Sequence, residues 1–132
     1  MLDRDEILRI VEAAYRARAE GDKEKLAAFW APDAQFRLAG DAALLAAFPT
    51  GPGDAATTTA AIVDLIAFHG QERLAALVDG LKAAILWRVT ASIAGKPPVT
   101  TELYDLIELN EDGKIVSLIQ FCDTALLADM LR

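Results

Sequence analysis

An α+β fold is what this sequence predicts: one domain, with helices segregated from an antiparallel sheet. Three observations carry it. Apolar residues recur at helical spacing early in the chain, and after residue 70 the period changes to two. Turn sequences separate the period-two stretches: Asp79-Gly80, Gly95-Lys96-Pro97-Pro98 and Asn110-Glu111-Asp112-Gly113. No internal repeat or second-domain boundary interrupts the 132 residues.

The first helix spans 4–20, with Ile7, Leu8, Val11, Ala14, Tyr15 and Arg18 at helical spacing. Asp3 is placed to cap it and Gly21 to end it. Asp22 caps a second helix that the apolar spacing carries through Trp30, where Pro32-Asp33 ends it. Gln35–Leu38 reads as a short strand. The stretch 39–56 is rich in Ala, Gly and Pro, and a loop of that length is usually functional or mobile, so it is a candidate lid. A third helix follows over Thr57–Phe68, closed by His69-Gly70. Four strands come next: Glu72–Val78, Ala83–Ala94, the strand centred on Asp105, and Lys114–Cys122. Asp123-Thr124 then caps a short helix over Ala125–Leu131.

Hydrophobic residues make up 54% and charged residues 25%, enough to bury a core. The net charge of −7 argues against nucleic-acid and anionic-membrane partners, which need a basic surface. A single cysteine, Cys122, allows no internal disulfide and fits a reducing cytoplasm. The opening residues lack the apolar core of a signal peptide, and no apolar run is long enough to span a bilayer. One histidine and no ligand spacing leave a metal without support, and no glycine-rich phosphate loop precedes a helix. No cofactor is expected.

The residue that carries most information is Asp105. In Thr101-Glu102-Leu103-Tyr104-Asp105-Leu106-Ile107-Glu108-Leu109, alternation puts Leu103, Asp105, Ile107 and Leu109 on one face. That is the more apolar face, so a carboxylate points inward. Burying it costs several kcal/mol unless it is paired, hydrogen-bonded or protonated. It therefore marks either a buried polar network or an acid–base pocket.

The element order resembles the nuclear-transport-factor-2-like superfamily, in its SnoaL-like and ketosteroid-isomerase-like branch. The carriers are Tyr15 with Glu20-Gly21-Asp22, Phe29-Trp30-Ala31-Pro32-Asp33-Ala34, Leu77-Val78-Asp79-Gly80, Trp87-Arg88-Val89, Asp112-Gly113-Lys114-Ile115-Val116 and Phe121-Cys122-Asp123-Thr124-Ala125. The resemblance implies a cone: a curved antiparallel sheet with the three N-terminal helices packed on its concave face. It also implies a cofactor-independent proton-transfer chemistry on an apolar carbonyl compound, of the isomerase or polyketide-cyclase type. Asp105 matches the strand carboxylate that ketosteroid isomerases hold protonated as an oxyanion-hole donor. Their general base matches Leu38, and their helix tyrosine matches Ala14, with Tyr15 one step away. In limonene-epoxide-hydrolase relatives the bridging arginine matches Leu103 and the second carboxylate Gln120. Polyketide cyclases of the SnoaL type rely chiefly on one strand acid, and Asp105 fits that pattern.

Candidate catalytic residues are thus Asp105 and, as a second donor, Tyr15. Candidate ligand-binding residues are Trp30, Trp87, Leu103, Leu118, Gln120 and Cys122. Four of these have a plainer reading beside them, while Trp87, facing the same way as the inward strand residues, reads as pocket wall. Tyr15 staples the first helix to the sheet, Trp30 packs in the core, Gln120 bonds backbone, and Cys122 is a small buried hydrophobe. His69 reads as a helix C-terminal cap and Arg37 as surface. The alternative functions are a non-catalytic binder of a small apolar ligand and a dimerisation domain with a filled cone. On the other sheet face, Leu86, Tyr104, Leu106, Ile119 and Phe121 form an apolar patch that predicts a homodimer.

Overall fold

The computed structural model describes residues 2–40, 44 and 53–132. The proposed lid, 39–56, lies mostly outside those residues. The elements run α1 (Arg4–Glu20), α2 (Lys23–Ala27), β1 (Trp30–Leu38), α3 (Ala55–Leu65), β2 (Ile66–Asp79), β3 (Lys82–Ile93), β4 (Val99–Leu109), β5 (Ile115–Phe121) and α4 (Thr124–Met130).

Helix α1 begins where expected, because the Asp3 carboxylate accepts from the Glu6 N–H at 2.9 Å. It ends at Gly21, whose φ of +73° lets its N–H turn back to the carbonyls of Ala17 and Arg18. Its apolar stripe, Ile7, Leu8, Val11, Ala14 and Tyr15, is buried. Asp22 caps α2 through the Lys25 N–H at 3.0 Å.

The second helix does not reach Trp30. It stops at Ala27, and Trp30 opens β1. The reason is non-local: the Ile115 N–H bonds the Phe29 carbonyl at 2.8 Å, and Trp30 pairs with Ile115. Pro32 sits inside β1 because β1 is an edge strand whose register shifts between Trp30 and Gln35. The third helix starts at Ala55 and ends at Leu65, short of Phe68, and β2 takes over at Ile66. Every residue from Ile66 to Phe68 has a partner on β3, which outweighs the helical pattern. His69 is therefore a strand residue and caps no helix; its Nε2 lies 2.6 Å from Ser92 Oγ.

The sheet order is β1-β5-β4-β3-β2. The β2 to β5 meander is antiparallel, as expected, but β1 runs parallel to β5, so the sheet is mixed at one edge. The sheet is curved and unclosed, with α1 packed over β2 and α3 over β1 and β2. Between them the core gathers Ile7, Val11, Ile85, Trp87, Ile107 and Ile115, all almost fully buried. Hairpin β4–β5 is closed by Asn110, whose Oδ1 accepts from the N–H groups of Asp112 and Lys114, both at 3.0 Å.

Candidate functional site

Period-two alternation does put Asp105 on the inward face. It pairs with Ile85 on β3 and Gln120 on β5, and it is 0% exposed. Neither carboxylate oxygen has a well-formed hydrogen bond, and its polar neighbour is the Gln120 side chain, close enough to act on it. Burial raises its pKa from 3.8 to about 7, and the neighbouring Gln120 amide offsets only part of that. Among the described residues no cation counters the burial, so at neutral pH a large fraction of Asp105 is the neutral acid, able to donate a proton.

Among the described residues, two cavities lie inside the cone. The larger, of ≈ 90 Å³, is bounded by Phe36, Phe68, Leu103, Cys122 and the α4 residues Leu126 and Met130, among others. The smaller, of ≈ 30 Å³, is bounded by Tyr15, Arg18, Trp30, Leu118 and Thr59. Phe36 and Gln120 border both. Gln120 thus connects the two spaces, and Asp105 is its cross-strand partner.

The proposed site residues divide accordingly. Leu103, Gln120 and Cys122 border the larger cavity, while Tyr15, Trp30, Leu118 and Gln120 border the smaller. Trp87 borders neither; it is 2% exposed and packs against Tyr15, the rings stacked at 4.4 Å with an 18° angle. Asp105 borders neither cavity as well. The Tyr15 hydroxyl and the indole N–H groups of Trp30 and Trp87 are buried with no partner. Cys122 is half-buried, and burial pushes its thiol pKa up, with Asp123 and Asp105 adding to the effect. That disfavours the thiolate a nucleophile needs.

Two groups of wall residues escaped the sequence reading. Helix α4 bounds the larger cavity through Leu126, Leu127 and Met130, although from sequence it is only a short C-terminal helix. Arg18 stands at the smaller cavity, its guanidinium 4.6 Å from the Tyr15 ring centre and 3.9 Å from that of Phe68. Its helical spacing with Val11, Ala14 and Tyr15 was the available signal, since an arginine on an apolar stripe faces inward. Among the described residues no cluster of His, Cys, Asp or Glu is arranged to hold a metal ion. Nor is any described helix long and apolar enough to cross a membrane.

Solved structures share this architecture. A suggested isomerase from Rhodopseudomonas palustris superposes with a TM-score of 0.78 at 20% identity, over 99% of this chain and 98% of that one. An LEH-like epoxide hydrolase from M. tuberculosis gives 0.74 at 20% identity, covering 97% and 91%. A suggested polyketide cyclase from Xanthomonas campestris pv. campestris gives 0.69 at 17% identity, covering 98% of both. At these identities the likeness is one of fold. No curated protein matches the sequence. The model of the SnoaL-like domain matches residues 11–118, a span that runs from α1 through the Asp105 strand to Leu118 in the wall of the smaller cavity, and the chain belongs to that family.

Proposed function

We propose that this protein binds a small apolar carbonyl compound in its cone and moves a proton on it, with Asp105 as the acid/base. The observation that carries the reading is Asp105 itself: fully buried, held by no well-formed hydrogen bond, and poised near neutrality beside Gln120, the residue that borders both cavities. A group that changes protonation near the working pH is suited to proton transfer, and as the neutral acid it donates a hydrogen bond to a developing enolate oxygen. Apolar walls strengthen such a bond by excluding water. Family membership supports isomerase- or cyclase-type chemistry at this coarse level, and the described neighbours span both. Because Asp105 borders neither cavity, the reading requires the Gln120 amide to give way.

The test is α-proton exchange. A panel of apolar ketones and lactones is incubated with the protein in D2O and followed by NMR. Exchange faster than in buffer, lost in Asp105→Asn, is the expected result. Bound ketone without exchange would move the protein to the second reading, a non-catalytic binder. That reading is favoured by Leu38 and Ala14, which stand where ketosteroid isomerases carry their base and tyrosine. The single reduced cysteine fits a cytoplasmic setting for either.

Homodimerisation belongs to the same proposal. Tyr104, Leu106 and Phe121 are 42%, 41% and 48% exposed on the outward face. The register aligns Leu86, Tyr104 and Phe121 in one row across three strands, and Leu106 with Ile119 in the next. A contiguous apolar surface of this kind suits a two-fold contact between sheets.

A further inference from the structure

Among the described residues, the interior of the cone holds a cation with no anion beside it. Arg18 is half-buried as a residue, but its Nε and Nη2 are sealed from solvent and neither has a hydrogen-bond partner. Among the described residues no carboxylate lies within ion-pair reach of it. Two acids of its own helix are engaged elsewhere: Glu12 with Arg73 at 2.9 Å and Glu20 with Lys25 at 3.9 Å. Asp105 is no partner either, since burial and the Gln120 side chain account for its shift, with no contribution from Arg18. Guanidinium groups are rarely buried unless paired, because each carries five donors and a charge that cannot be shed.

What Arg18 does touch is aromatic. Its carbon centre sits over the rings of Tyr15 and Phe68, which fix the plane of the guanidinium. Phe68 also walls the larger apolar cavity, and Arg18 itself borders the smaller one. The two spaces share Phe36 and Gln120. A ligand with an apolar body in the larger cavity that reaches past Phe36 and Gln120 therefore meets a guanidinium whose Nε and Nη2 are sealed from solvent. Burial lowers the Arg18 pKa to about 10, which leaves it charged at neutral pH.

We propose that Arg18 anchors the carboxylate of an apolar acid whose body occupies the larger cavity. Planar, two-pronged recognition is what a guanidinium offers a carboxylate. The chain's net charge of −7 gives no general attraction for anions, so the selectivity is local to this group. The proposal rests on the reading that the cone holds a small molecule, and it adds the substrate class: a carboxylate-bearing carbonyl compound, with the acid at Arg18 and the reacting carbon toward Asp105.

The test is equilibrium binding at pH 8, read by tryptophan fluorescence and calorimetry. The probes are octanoate and 4-phenylbutyrate, each against its methyl ester. The wild-type chain is expected to hold the acids at least about tenfold more tightly than the esters, a difference of about 1.4 kcal/mol. Arg18→Met should bring the acids down to the ester affinity and leave the esters unchanged. Arg18→Lys should keep part of the preference, because it retains charge without the fork. Equal affinity of acid and ester in the wild type overturns the proposal, as does acid binding that survives Arg18→Met, or uptake of neither probe. Should Arg18→Met fail to fold, the acid-to-ester ratios of the wild type and Arg18→Lys decide alone, and a ratio near one in both overturns it. Asp105→Asn separates this proposal from the catalytic one: it should keep the acid preference while abolishing α-proton exchange.

Discussion

At the scale of single residues, Asp105 should write its burial into the stability of the protein. Its pKa is 3.8 when the chain is unfolded and about 7 when folded. Between those values the native state binds more protons than the unfolded state, so stability falls as pH rises. The contribution is full below pH ~4, declines through pH ~7 and is flat above, and a gap of ~3 pKa units corresponds to about 4 kcal/mol as an order of magnitude. Asp105→Asn keeps the shape and cannot ionise. We expect urea unfolding of this variant to lose that slope between pH 4 and 7, and to lie within about 1–2 kcal/mol of wild type at pH 5. Above pH 7 it should be the more stable protein. A wild-type profile matching that of the variant would mean that Asp105 ionises freely and has no raised pKa.

At the scale of elements, the β4–β5 hairpin does two jobs. It sets Asp105 opposite Gln120, and its turn packs under α1. Gly113 adopts φ of +78°, where a side chain is strained, and a Cβ there would meet Ile10 Cδ1 at 3.1 Å. The Ile10 methyl is the free end of a side chain and can yield, so the backbone dominates the cost. Gly113→Ala should lose about 1–2 kcal/mol in denaturant unfolding. A loss near zero would show that the turn relaxes, and the register of Asp105 with it. Helix α4 has a different part. It has no fully buried residue, yet it bounds the larger cavity, and Lys96 from the β3–β4 turn donates to the carbonyls of Asp129, Met130 and Arg132 at its end. Such a cation favours a helix C-terminus.

At the scale of the whole molecule, one sheet has two apolar faces. The concave face encloses the cavities and the convex face presents Tyr104, Leu106 and Phe121. Leu106 sits centrally, between Ala84 and Ile119. Leu106→Glu should convert a dimer into a monomer in sedimentation analysis while leaving far-UV dichroism unchanged, because a buried unpaired carboxylate at a two-fold contact is repeated on both sides. A wild-type chain that sediments as a monomer at micromolar concentration would remove the dimer.

The sequence by itself determined whatever depends on near neighbours. Asp3, Asp22 and Asp123 cap three helices through backbone N–H groups three residues on. The turns at Asp79-Gly80 and Asn110–Gly113 close as read, and alternation placed Asp105 inward. These follow from local dihedral preference and a period of two, which need no distant partner. Tertiary structure alone decided the rest. Residues 28–30 and 66–68 carry a helical pattern, but ladder bonds from Ile115 and from β3 claim them as loop and strand. The parallel pairing of β1 with β5 joins residues some eighty positions apart, and α4 comes to wall a cavity begun by Phe36. Arg18 shows the divide most clearly. Its spacing put it on the buried stripe of α1, but only the packed fold could reveal that among the described residues no acid pairs with it.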